Sequence, residues 1–184
     1  MAKAYTNFTK TIERSRQVIA LYRADVDLAE KEDLVRFSVV LTVAALDSYF
    51  TDKFCDVLVP FLKKNEPTND LIEILENAGL NAKTALELIS MDRPFRRIRT
   101  LVERSFSNYT TQRTDVIDKL FRSIGLQDFS NNAQRIVGRK SLKKRVQMLV
   151  NRRNDIAHES DLDYRGRPKK IDVDHIIFYS KSGS

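Results

Sequence analysis

Apolar residues recur along this chain at helical rather than strand spacing. Over residues 4–29, Phe8, Ile12, Val18, Ile19, Tyr22 and Val26 return on one side with charges between them, which predicts an amphipathic helix. A second, longer element follows from Lys31 to Lys64. There Leu34, Phe37, Val40, Leu41, Ala44, Ala45, Tyr49, Phe54, Leu58, Phe61 and Leu62 fall near i, i+3 and i+4. Its middle, Phe37 to Leu46, is apolar nearly all round and is expected to be the buried spine of the fold. Several residues there are β-branched, yet length and flanking charge favour a helix over a strand.

Local stop and start signals divide the rest. Asn65-Glu-Pro-Thr-Asn69 breaks the pattern, and Thr68 or Asn69 caps a helix that runs through Ala78 and ends at Gly79. Asn81 caps a short helix holding Ala85, Leu86, Leu88 and Ile89. Arg93-Pro94 opens another, because proline fits the first turn. It turns Phe95, Ile98, Leu101, Val102 and Phe106 inward and its arginines outward. Thr114 to Ile124 is a further amphipathic segment ending at Gly125. Residues 125–140 are polar and are expected to be irregular, with a helical turn near Ala133 to Val137. Ser141 caps the last long helix, about 141–158, with Leu142, Val146, Leu149 and Val150 as its apolar stripe. After His158 a polar loop is expected. Ile171 to Tyr179 fits strand or helix equally, as an element at about 171–180 that looks cut short before Ser182-Gly-Ser184, which reads as a cloning remnant.

Composition narrows the class. The 184 residues read as one domain, 1–184, and 42% hydrophobic residues are enough for a core. Five Gly and four Pro are too few for the frequent turns of a β-sandwich. The expectation is an all-α fold. The ten-residue apolar run Phe37–Leu46 falls short of the roughly twenty that a bilayer requires. The N-terminus has no apolar core of the kind a secretory signal needs, so a soluble, cytoplasmic protein without membrane contact is expected. The single cysteine, Cys55, excludes an intrachain disulfide and a thiolate zinc cage and reads as a buried structural thiol.

Charge is concentrated. Between Arg135 and Arg153 stand eight basic residues and no acidic one, leaving 24 basic against 25 acidic in the rest of the chain. The whole excess of +7 therefore lies in one stretch. Such a concentration is the footprint of a polyphosphate partner, although a solvated helix face would carry charge too. On this reading Arg139, Lys140, Lys143, Lys144, Arg145 and Arg152 face RNA. A smaller cluster runs through Arg93, Arg96, Arg97, Arg99 and Arg104.

Few motifs carry chemistry. Gly138-Arg139-Lys140-Ser141 lacks the lysine directly after glycine and the earlier glycine that a phosphate-binding loop needs, with Ala133 in its place. Asp172, Asp174 and His175 lie too close on one element to share a metal centre readily, so neither metal nor cofactor is expected. What remains is Asn151-Arg-Arg-Asn-Asp-Ile-Ala-His-Glu159 at the end of the basic helix. Histidine exchanges protons near neutral pH, and arginine presents a planar fork suited to phosphate oxygens. Asn154 and His158 are four apart and share a helix face. Arg153 and His158 are five apart, about 140° round the axis. Arginine and histidine near a helix C-terminus also simply favour its dipole.

Arg153-Asn-Asp-Ile-Ala-His158 resembles the Arg-Xaa(4–6)-His motif of the HEPN superfamily, including the polar residue after the arginine. The approach Leu142-Lys-Lys-Arg-Val-Gln-Met-Leu-Val-Asn-Arg152 is similar as well. Val43-Ala-Ala-Leu-Asp-Ser-Tyr-Phe-Thr-Asp52 resembles the family's earlier core helix, with an acidic residue after the leucine. The likeness is to the RiboL-PSP and related stand-alone groups, and it covers the two principal helices but not residues 66–140.

The resemblance implies an up-and-down helical bundle with extra helices between the two principal ones. It also implies a homodimer that brings two Arg-His motifs into one cleft and cleaves RNA without a metal. In that scheme His158 moves protons, Arg153 stabilises charge at phosphorus, and Asn154 orients His158 or binds a phosphate oxygen. Asp47 would support Arg153, or serve only in an interhelix ion pair. The expected activity is a metal-independent endoribonuclease, effector of a toxin–antitoxin or other defence system, with an antitoxin or nucleotidyltransferase-type partner. The alternatives are a non-catalytic RNA-binding or adaptor HEPN domain and a purely structural dimerisation module.

Overall fold

The computed structural model of the chain describes residues 2–24, 31–106, 113–158 and 161–171. Among these residues the protein is all-α, as expected. The helices are α1 (Ala2–Arg23), α2 (Lys31–Leu62), α3 (Asn69–Asn77), α4 (Ala82–Ile89), α5 (Pro94–Phe106), α6 (Thr114–Ser123), α7 (Phe129–Val137) and α8 (Leu142–His158). The only extended pairing described is an isolated bridge between Leu162 and Pro168. The expected element at 171–180 lies outside the described residues beyond Ile171, as do Asp172, Asp174 and His175.

Contacts group the chain into two compact units within what the sequence reads as one domain: Asp47–Lys143, and Ala2–Leu46 with Lys144 onward. Helix α2 gives its second half to the first unit and its first half to the second. Its valines at 35, 39 and 43 are fully buried, as are Phe54, Cys55 and Leu58 further on. That is why α2 is so apolar. Over its full length it is long and apolar enough to cross a bilayer by composition, which the ten-residue run alone does not reveal. The expectation of a spine buried on every side is corrected at Phe37, which is 51% exposed, and at Ala44 on the same face. The neighbouring helices cover the valine stripe and leave that face open.

The Asp47–Lys143 unit is built on an aromatic cluster. Phe121 of α6 stacks on Phe129 of α7 with centroids 4.4 Å apart, and Phe50 of α2 meets both edge-on. Phe54 packs against Phe121 and Phe106. Capping follows the sequence closely. Thr68 Oγ1 accepts the Leu71 N–H and donates to the Ser123 carbonyl at 2.8 Å, tying the start of α3 to the end of α6. Asn81 Oδ1 accepts the Thr84 N–H and starts α4.

Residues 125–140 differ from expectation. Instead of an irregular stretch with one helical turn, α7 fills nine of them. Two contacts distant in sequence hold it: the Phe129–Phe121 stack, and Asp118 Oδ1 accepting the Ser130 N–H at 2.7 Å. Gly138 ends the helix in the left-handed region (φ 69°), which glycine adopts without steric cost. Helix α8 follows Ser141, and its Lys143 N–H donates to Gln134 Oε1 of α7.

The second unit joins α1, the first half of α2, α8 and the segment 161–171. Val39 and Val43 pack against Leu149 and Val150, with Val146, Ile156 and Ile171 around them. Val35 packs with Ile19, and Ile171 reaches that cluster as well. Between α1 and α2 the core turns polar. Ser15 Oγ donates to the Ser38 carbonyl and lies 2.7 Å from Ser38 Oγ and 2.8 Å from Thr42 Oγ1. Small hydroxyls that satisfy one another let two helices approach closely without an orphaned polar atom.

Candidate functional site

The last three turns of α8 hold the motif. Leu149 and Val150 are buried, so Arg153, one turn on, sits at the margin of the core and is half-buried. Asn154 is half-buried beside it, and its Oδ1 accepts a hydrogen bond from Arg153 Nη1 at 3.0 Å. The asparagine therefore orients the arginine. Residue 158 falls on the opposite, solvent face with Lys144, Met148 and Asn151, and His158 is exposed in the last turn. The imidazole has no hydrogen-bond partner among the described residues.

Sequence reasoning missed the structure behind this end of the helix. Asp161, three residues past His158, is buried to 1% exposure in what reads as a polar loop. Its Oδ2 accepts from Arg36 Nε of α2 at 2.7 Å and from Arg152 Nη2 of α8 at 2.9 Å. Its Oδ1 lies 2.8 Å from Arg152 Nη1, close enough for an ion pair although not aligned as a hydrogen bond. Both guanidinium groups also donate to the Lys169 carbonyl. The backbone joins in: the Asp161 N–H donates to the Asp155 carbonyl at 3.2 Å, and the Lys169 N–H to the Asp161 carbonyl at 2.7 Å. Lys169 Nζ returns to Asp155 Oδ2 at 3.2 Å. The segment after the motif is thus strapped to α2 and α8 by one buried carboxylate. Burial alone would depress the Arg36 guanidinium, but its hydrogen bond and charge pairing with Asp161, helped by Asp33, hold it above its ordinary value.

This arrangement changes the reading of the basic run. Arg152, expected to face RNA, turns inward and gives its fork to Asp161. A fully basic stretch offers no local acid to pair with, and the partner arrives from nine residues downstream. Lys143 is half-buried and pairs with Asp118 at 3.6 Å. Lys140 and Lys144 are exposed, while Arg139 and Arg145 are half-buried. Asp47 lies on α2 at the start of the other compact unit, half-buried. No group of three or more His, Cys, Asp or Glu suited to a metal occurs among the described residues.

Comparison with known proteins places these helices in context. The family model described as RiboL-PSP-HEPN matches residues 9–182. No curated protein and no solved structure matches. HEPN domains are in general ribonuclease-type domains that bind RNA. The match spans α2 to α8 entire, with Arg153, Asn154 and His158 at the end of the last described helix, and covers nearly the whole sequence. The chain belongs to the RiboL-PSP-HEPN family.

Proposed function

We propose that this protein is a metal-independent endoribonuclease that acts as a homodimer in the cytoplasm, as effector of a toxin–antitoxin or related defence system. The observation that carries the reading is the Arg153–Asn154 hydrogen bond one turn before an exposed His158. Cleavage through the ribose 2′-OH needs one group to take its proton and another to protonate the leaving 5′ oxygen. Arg153, oriented by Asn154, stabilises the charge that builds on phosphorus in the transition state. His158 exchanges the protons. Acid and base at one phosphate need two imidazoles, and a second copy of the chain supplies the other across a two-fold axis. An unpartnered, outward-facing imidazole suits a site completed by that copy. The same observation favours the alternative, a non-catalytic RNA-binding or adaptor domain, because nothing within the described residues holds His158 in one tautomer.

Cleavage assays separate the two readings. The proposal predicts RNA cutting in excess EDTA, products with 2′,3′-cyclic phosphate ends, and no cutting where the scissile 2′-OH is replaced by hydrogen. Metal-dependent cutting, or equal cutting of the deoxy substrate, refutes it. Light scattering should report a dimer, and a monomer at high micromolar concentration contradicts the shared site.

A further inference from the structure

Within the Asp47–Lys143 unit, a cleft of about 480 Å³ opens between the last turns of α2 and the start of α5. Its size lies in the range of small-ligand sites. One wall is apolar, formed by Val59, Pro60 and the Phe95 ring. The rim carries Lys63, Arg93, Arg96 and Arg99 against the carboxylates of Asp56 and Asp92. These charges do not cancel. Arg99 is held by Asp56 at 3.0 Å and by Glu103 at 2.7 Å, so Asp56 is already engaged. Lys63 Nζ stands 5.4 Å over the Phe95 ring, a cation–π contact that leaves its charge uncompensated. Arg93 and Arg96 are exposed and have no hydrogen-bond or ion-pair partner among the described residues.

The local shortage of acceptors goes further. The first turn of α5 contains no acidic residue, although the positive end of a helix dipole favours one there. Arg97 in that turn keeps its Nε buried with no acceptor. A buried donor left without a partner is costly, and three arginines gathered at the positive end of a helix repel one another unless an anion sits among them.

We propose that this cleft binds a phosphorylated nucleoside, with its phosphate on Lys63, Arg93 and Arg96 and its base against Pro60 and Phe95. A cationic rim beside an aromatic and apolar wall is the combination that holds single-stranded nucleic acid without reading its sequence. The nucleotide belongs to an RNA strand, which rests on the ribonuclease reading above, or is free in solution. The site lies in residues that contribute nothing to the Arg153–His158 chemistry.

The test uses the full chain and two probes: a fluorescent, uncleavable 2′-O-methyl RNA oligomer and AMP. Arg93→Gln/Arg96→Gln replaces two exposed side chains, and circular dichroism checks that the helices persist. If the site takes an RNA strand, the double variant weakens oligomer binding and lowers its salt slope by about 1.4, at roughly 0.7 per phosphate contact on a single strand. If it takes a free nucleotide, wild-type protein binds AMP and the double variant does not, while oligomer binding is unchanged. Unchanged binding of both probes in the double variant overturns the proposal. His158→Ala, which removes the proposed nuclease chemistry, leaves either result intact. A protein that never cuts RNA yet loses oligomer binding with Arg93 and Arg96 keeps this site and refutes the nuclease.

Discussion

Removing the Asp161 carboxylate is the most informative perturbation of the motif's surroundings. The group is 1% exposed and meets two guanidinium groups whose side chains are only 10% and 20% exposed. Deleting one member of a buried charge cluster leaves the others uncompensated, at a cost of about 3–5 kcal/mol. Here the lower end applies. Arg36 keeps Asp33 at 3.1 Å and Glu32 at 3.6 Å, and Arg152 keeps the carbonyls of Lys169 and Lys170. We therefore expect Asp161→Gly to destabilise by about 3 kcal/mol, a large share of the roughly 5–15 kcal/mol typical of a domain. Residue 161 also sits in the left-handed region at φ 55°, where alanine adds about 1 kcal/mol of strain that glycine avoids. Asp161→Ala should thus fall about 1 kcal/mol below Asp161→Gly. Asp161→Asn keeps the shape and tolerates the backbone, and should lose about 1.5–3 kcal/mol as charge-assisted hydrogen bonds become weaker ones. Urea unfolding followed by circular dichroism measures all three, with amide exchange at residues 155–171 reporting the local loosening. A loss below about 1 kcal/mol for Asp161→Gly would refute the strap.

Other expectations can be checked directly. Phe54, fully buried in the aromatic cluster, should cost about 3–5 kcal/mol when changed to alanine, read by thermal or urea unfolding. The Cys55 thiol is pushed up to about 12 by burial, then by the nearby Glu103 carboxylate, against the pull of Arg99. It should resist a thiol reagent at pH 8 in native protein and react on unfolding. Because its native pKa is raised, its contribution to stability is full below the unfolded thiol's pKa and fades as pH rises from about 9 towards about 12. Replacing Lys143, Lys144 and Arg145 with glutamine should weaken binding of unrelated RNA sequences about equally. The fall in salt slope should stay under that of three free cations, since Lys143 already holds Asp118. Unchanged binding would mean that this face is only solvated.

The legible parts of the sequence were those whose physics is local. Thr68, Asn81 and Pro94 mark helix starts through bonds and dihedrals within a few residues, and the helices begin where those signals stand. Helix α7 was not legible, because an aspartate twelve residues back and a ring on α6 hold it. The role of Asp161 was hidden for the same reason. In sequence it is one more polar residue in a loop, and only the fold brings Arg36, 125 positions away, to its carboxylate. Phe37 failed in the opposite sense: hydrophobicity implied burial, but the cover depends on neighbours that no periodicity can count. Of the motif, the identities and helix of Arg153, Asn154 and His158 were legible. That Asn154 engages Arg153, and that Arg152 turns inward, came only with side-chain contacts.

The central claim is that His158 and Arg153 perform RNA cleavage, and single-turnover cleavage by the alanine variants tests it most directly. With excess EDTA and a defined RNA, His158→Ala and Arg153→Ala should each cut about a hundred- to a thousand-fold more slowly than wild type. Their helical content and RNA affinity should be retained, since His158 is exposed and Arg153 only half-buried. A His158→Ala protein that cuts at the wild-type rate would contradict the account.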